Sequence, residues 1–182
     1  MLEQLSMILE DLNNLPEVDL PPEYHLRCCR DGDGERWIKL ISNVFGYASE
    51  AVGSSWQEII QSPYFQPEDV IFICCGSHVV ATATARLRET APAGTGYLHM
   101  VAADPAHKGT KLGAAVVAAV CRRLKYRGML QVLLHTDDFR VPALLTYLKL
   151  GFRPVIKDIE MKNRWVELAK TLDMPLPDLA IE

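Results

Sequence analysis

The amino-acid sequence predicts one α/β (α+β) domain, a β-sheet with helices on both faces, on three observations. Short β-rich runs alternate with stretches of helical periodicity. Two of those runs, Val70 to Cys75 and Val79 to Arg88, are separated by only Gly76-Ser77-His78, the signature of a hairpin. A third, Tyr97 to Ala103, leads through a glycine-bearing loop into the long helical pattern Leu112, Val116, Val120, Leu124. The 182 residues are a one-domain length, enough to bury a core without disulfides or a structural metal.

Residues 1–22 read as an N-terminal arm broken by Pro16, Pro21 and Pro22, and residues 23–182 as the domain proper with a C-terminal helix. Met7-Ile8-Leu9 in the arm fits a short strand or a helical turn equally. A strand is expected over His25 to Cys29, then a turn at Asp31-Gly-Asp-Gly34. Trp37, Leu40, Ile41, Val44 and Phe45 recur at i, i+3, i+4, i+7 and i+8, one helical face that Gly46 ends. A second helix is expected to start near Ser55, where Ser55-x-x-Glu58 fits a capping box. In the run Val79 to Arg88, residues alternate between two faces, Val80, Thr82, Thr84 and Arg86 against Ala81, Ala83, Ala85 and Leu87.

A formal charge of −4, from 19 Lys+Arg and 23 Asp+Glu, speaks against a broad nucleic-acid footprint. No apolar run approaches the ~20 residues of a membrane span, and Met1 to Leu20 lacks the pattern of a signal peptide. The expectation is therefore a cytoplasmic protein with no nucleic-acid or membrane partner. The vicinal pairs Cys28-Cys29 and Cys74-Cys75 lie in strand-like runs and are read as reduced packing residues. Histidines at 25, 78, 99, 107 and 135 show no metal-ligand spacing, so no metal is expected.

The chemistry is carried by Asp104-Pro-Ala-His-Lys-Gly-Thr-Lys-Leu-Gly113, a loop between a strand and a helix. The first turn of a helix has unpaired N–H groups and positive partial charge, so a pyrophosphate can settle there. Gly109 and Gly113 let the backbone approach it. The loop lacks both the Gly-Lys-Ser/Thr ending of a Walker loop and a G-x-G-x-x-G turn, which argues against nucleotide hydrolysis and dinucleotide binding.

Tyr97-Leu-His-Met-Val-Ala-Ala-Asp-Pro105, Lys108-Gly-Thr-Lys-Leu-Gly113, Thr136-Asp-Asp-Phe-Arg-Val-Pro-Ala143 and Tyr147-Leu-Lys-Leu-Gly-Phe152 together resemble the core of the GNAT N-acetyltransferases. The resemblance covers about His25 to Pro154. The arm ending Leu20-Pro-Pro-Glu-Tyr24, the Trp37 helix and Thr136-Asp-Asp-Phe-Arg140 are most similar to the mycothiol-synthase-like branch. It implies a mixed twisted sheet with a splayed central strand pair, and an enzyme that moves an acetyl group from acetyl-CoA to a primary amine by direct attack. A non-catalytic acyl-CoA-binding module of the same fold is the alternative. Lys108 stands where the family usually has Arg or Gln, Lys111 replaces the loop's first glycine, and Arg140 stands where many members place Asn. The loop still cradles phosphate if Lys111 keeps φ negative. After Phe152 only one strand-like stretch, Arg153 to Lys157, precedes the helix Ile159 to Leu172, so the family's last hairpin is one strand short; the arm could supply it.

On the same resemblance, the backbone at Val101, Ala102 and Ala103 pairs with the pantetheine arm, and an N–H there stabilises the oxyanion of the tetrahedral intermediate. Lys108, Gly109, Thr110, Lys111, Leu112, Gly113 and Ala114 hold the pyrophosphate, with Arg140 and Ala143 also against the cofactor. Tyr147, in the spacing Ala-x-x-x-Tyr-x-x-x-Gly-Phe, is implied to be the acid for the leaving thiolate. His99, two residues before Val101, is the candidate base, with an ordinary imidazole pKa near ~6.5 suited to that task. Glu89 and Asp104 are weaker base candidates, and Asp137 and Asp138 read as turn and cap residues. The acidic excess mildly favours a cationic amine, and a homodimer stays open.

Overall fold

A computed structural model describes residues 3–173. Its sheet is built from β1 (Leu5–Leu9), β2 (Tyr24–Cys28), β3 (Val70–Cys75), β4 (His78–Arg86), β5 (Thr95–Ala103), β6 (Gln131–Thr136) and β7 (Arg153–Val155). The helices are α1 (Gly34–Phe45), α2 (Ser49–Ile60), α3 (Leu112–Tyr126), α4 (Val141–Lys149) and α5 (Ile159–Thr171).

The strand order is β2-β3-β4-β5-β6-β1-β7. Neighbours are antiparallel except β5 and β6, which run parallel. The ambiguous Met7-Ile8-Leu9 is thus a strand, and it occupies the place the short C-terminal hairpin leaves open. Met7 pairs with Leu134 on one side and Pro154 on the other. Leu5, Met7, Leu9 and Leu12 are buried in the same core as Val132, Leu134, Leu144 and Trp165. Hydrophobic burial explains why the arm enters the sheet: its alternate residues need an apolar layer, and the helical side of β6 and β7 supplies one.

Two apolar layers flank the sheet. On one face α1 and α2 pack Trp37, Leu40, Ile41, Val52, Trp56 and Ile59 against Val70 and Phe72. On the other, α3 lays Ala115, Val116, Ala118 and Val120 on the sheet, its small residues allowing close approach. The helical spacing from Trp37 to Phe45 gives α1 as expected, and Gly46 ends it at φ 70°, its N–H donating to the Ser42 carbonyl.

The expected start of the second helix is wrong. α2 begins at Ser49, and Ser55 lies inside it, its hydroxyl donating to the Ala51 carbonyl at 3.3 Å rather than capping. Val52, Trp56 and Ile59 form its buried face, and that burial overrides the poor helix propensity of Gly53-Ser54-Ser55. All five cysteines are free, and Cys28 is exposed rather than packed.

Candidate active site

The site lies where β5 and β6 part. They pair only from Thr95 opposite Gln131 to Tyr97 opposite Leu133; beyond this, Leu98 to Ala103 face no strand on that side. The other edge of β6 is taken by β1, which holds it away. On the β4 side, Thr84 pairs with His99 but Thr82 with Ala102, so Met100 and Val101 together oppose Ala83. Met100 sits at φ 50°, a left-handed conformation rare for such a side chain. This bulge turns backbone groups out of the ladder beside the fork. After it, Ala102 packs on the α1–α2 side, and Val101 and Ala103 on the α3 side.

The loop after β5 is anchored before it meets α3. Asp104 donates its N–H to the Val80 carbonyl at 2.8 Å and its carboxylate accepts the Ala106 N–H at 2.9 Å. The Tyr24 hydroxyl and His107 Nδ1 are 2.8 Å apart, tying the loop to β2, and Thr110 Oγ1 donates to the His107 carbonyl. Asp104 is therefore a cap, not a free carboxylate poised as a base. Beyond these contacts the backbone amides from Gly109 to Ala114 donate to no acceptor among the described residues. Gly109 lies at φ 91°, and a Cβ on Gly113 would meet nothing within 4 Å. A run of free amides on a helix of 15 residues is a positive, open cradle.

Lys111 does not keep φ negative. It stands at φ 60° and ψ 20° as the residue before α3, the conformation a glycine would adopt at no cost. For lysine this costs about 1–2 kcal/mol. Lys111→Gly should therefore raise stability by about 1 kcal/mol in denaturant titration, partly offset by the greater entropy of the unfolded glycine chain. A loss of stability would mean that the lysine side chain contributes more than its backbone costs.

Arg140 precedes α4 and reaches across rather than along the helix. Its Nε donates to Asp137 at 2.8 Å, its Nη2 to the Tyr47 hydroxyl at 3.2 Å, and its guanidinium lies 4.3 Å from the Phe45 ring centroid. Asp137 also accepts from Gln4 of the arm, and Asp138 is paired with Arg164, so both aspartates are structural. Ala143 lies in the first turn of α4, its N–H donating to the Arg140 carbonyl.

Tyr147, on α4, is 6% exposed and packs against Phe152. Burial pushes its pKa well above the ordinary phenol value; Arg140 opposes this and Tyr97 adds to it. On the opposite face of the sheet, Tyr97 and His99 lie side by side, ring centroids 5.8 Å apart. The Tyr97 hydroxyl is 2.7 Å from His135 Nδ1 on β6, and Arg88 lies 3.6 Å over the Tyr97 ring. Alternation along β5 puts Tyr97 and His99 on one face and was readable in advance. His135 comes from a distant strand and was not.

His99 does not have the ordinary imidazole pKa. Burial, and then the charges of Arg86 and Arg88, hold it down to about 3. The imidazole is neutral at working pH, able to accept a hydrogen bond but weak as a proton acceptor. Between about pH 3 and ~6.5 the unfolded chain binds a proton at this position that the folded chain refuses, so stability falls as pH falls through that window. His99→Gln should flatten the melting-temperature profile between pH 6.5 and 4.5, measured by calorimetry in constant ionic strength. An unchanged profile would show that His99 is protonated in the folded chain.

The profile of the acetyltransferase (GNAT) family matches residues 34–152. A mycothiol acetyltransferase of Catenulispora acidiphila is 26% identical over 157 residues, covering 82% of this chain and 50% of that protein. One of Thermobispora bispora is 31% identical over 147 residues, covering 76% and 49%. The chain spans about half the length of these curated relatives. An aminoglycoside N-acetyltransferase solved in complex with CoA superposes with a TM-score of 0.60 at 17% identity, over 76% of this chain and 92% of that one. That likeness concerns the fold. The described helices include none long and apolar enough to cross a membrane. With the splayed strand pair, the free amides at the start of α3 and a family profile that spans both, the chain belongs to the acetyltransferase (GNAT) family and is similar to its mycothiol acetyltransferases.

Proposed function

We propose that the chain transfers an acetyl group from acetyl-CoA to a primary amine by direct attack. The observation that carries this reading is the run of free amides from Gly109 to Ala114, set at the end of a strand whose neighbour has turned away. The geometry fits CoA: the amides can donate to a pyrophosphate, Gly113 leaves room beside it, and the edge of Val101, Ala102 and Ala103 that faces away from β4 can take an amide-bearing arm as an added strand. Lys108 and Lys111 are exposed beside the cradle and add positive charge. Arg140 and Ala143 border the opposite wall of the fork at the start of α4.

Acetyl-CoA supplies an activated acyl carbon. A neutral amine held at the fork gives its lone pair to that carbon, the C–N bond forms, and the C–S bond breaks with its electron pair on sulfur. An N–H of the bulged segment of β5 would stabilise the negative charge developing on the carbonyl oxygen. Tyr147, protonated at every working pH, gives its proton to the thiolate and regains one from solvent before the next turnover. The amine loses its proton to solvent, with the neutral His99 as a hydrogen-bond acceptor along the way.

The test is a set of primary amines with acetyl-CoA, followed by mass spectrometry for the N-acetyl product and by thiol release. Amide formed in step with CoA supports transfer. Acetyl-CoA that raises the melting temperature with no amide from any amine would assign the chain to acyl-CoA binding without turnover.

A further inference from the structure

The polar cluster on the α1–α2 face of the fork holds one guanidinium, Arg88, that no carboxylate of the described residues pairs with. Arg86 is paired with Glu58 at 2.9 Å, and Glu89 accepts from the Tyr64 hydroxyl at 3.0 Å. Glu58 is thus matched by Arg86, and Glu89 meets Tyr64 rather than its sequence neighbour Arg88. Arg88 has no carboxylate partner among the described residues; its guanidinium carbon lies 3.6 Å from the Tyr97 ring centroid. Lys157, which also acts on His135, is matched by Glu3 at 3.0 Å. A partly buried guanidinium set over an aromatic ring, with no carboxylate bonded to it, keeps its donors for an incoming anion.

That anion is not one of the cofactor's phosphates. Tyr97 and the loop following Ala103 lie at opposite ends of β5, and the six residues between them span roughly 20 Å at ~3.3 Å each. The cradle takes the phosphates at one end, so Arg88 faces whatever enters at the other. At His99 the charges that act are those of Arg86 and Arg88, opposite in sign to the acidic excess of the whole chain.

We infer that the acceptor is a primary amine bearing an anionic group, a carboxylate or a phosphate, which Arg88 holds while the amine faces His99. The inference rests on the acetyl-transfer reading and adds the class of acceptor to it. Arg88 is a specificity-determining residue in this scheme, with Tyr97 and His135 as positioning residues through the ring beside the guanidinium and the hydroxyl contact.

The experiment compares matched amines with acetyl-CoA: propylamine, β-alanine and 1,3-diaminopropane, then ethanolamine and O-phosphoethanolamine. The carboxylate and phosphate series are read separately, so the source of the anion is distinguished. In at least one series the anionic member should exceed its neutral partner in kcat/KM by tenfold or more. Arg88→Met should bring that ratio close to one, and Arg88→Lys should restore part of it, since charge survives but the planar fork does not. Amides formed with no preference for the anionic members, or a preference that survives Arg88→Met, would overturn the inference while leaving acetyl transfer standing. Failure of every amine to yield an amide would overturn both.

Discussion

Tyr147→Phe should lower kcat by ~10²-fold or more and change KM for acetyl-CoA far less, because in the proposed mechanism the hydroxyl acts on the leaving group and not on the bound ground state. Three structural facts support the size of that effect. The phenol is buried at 6% exposure beside Phe152, at the end of a helix set against the fork. Its hydroxyl has no hydrogen-bond partner among the described residues, so no structural bond competes for its proton. Its pKa is raised, by burial first, so it carries that proton throughout the working range. The same facts separate a catalytic from a packing role. Removing a hydroxyl with no protein partner should leave the melting temperature nearly unchanged. A fall in kcat with unchanged stability, in steady-state assays at saturating amine, fits the acid; equal turnover in the two proteins would remove Tyr147 from the chemistry.

Which parts of this site were legible in the sequence follows from how local each cause is. The cradle was readable because a strand, a glycine-bearing loop and a helix are contiguous, and the free amides are a property of any helix start. α1 was readable from five apolar residues at helical spacing and a terminal glycine. α2 was misread because Ser55 and Glu58 imitate a cap, while the burial of Val52 and Trp56 that decides the matter is tertiary. The left-handed Met100 carries no sequence mark, and Lys111 was marked only by standing where the family has a glycine, since neither is a residue that favours that conformation. His135 meets Tyr97 through a pairing between strands separated by the whole of α3, and no periodicity announces it. The same holds for β1, whose Met7-Ile8-Leu9 could be read as a strand or a helical turn until its neighbours in the sheet were known.

Deletion of residues 1–12 should abolish cooperative folding, the largest effect on stability expected from any small change to this chain. β1 is an interior strand: it pairs with β6 over the register Leu5–Thr136 to Leu9–Val132 and, among the described residues, it alone links the three-residue β7 to the sheet. Its loss exposes the apolar layer under α4 and α5 and removes four buried side chains, Leu5, Met7, Leu9 and Leu12. At about 1.5–3 kcal/mol each, these contribute roughly 6–12 kcal/mol, comparable with the 5–15 kcal/mol total of an ordinary domain. The ion pairs of the segment, Glu10 with Arg153 and Glu3 with Lys157, join exposed groups and add little. The truncated chain should show a non-cooperative melt and lost near-ultraviolet circular dichroism. A synthetic peptide spanning Glu3 to Leu12 should restore both in a concentration-dependent manner, by adding itself as the missing strand, and the same peptide carrying Met7→Asp should not. A truncated chain that melts cooperatively at the temperature of the full one would show that β6 and β7 close on each other without the arm, and that β1 is dispensable to the sheet.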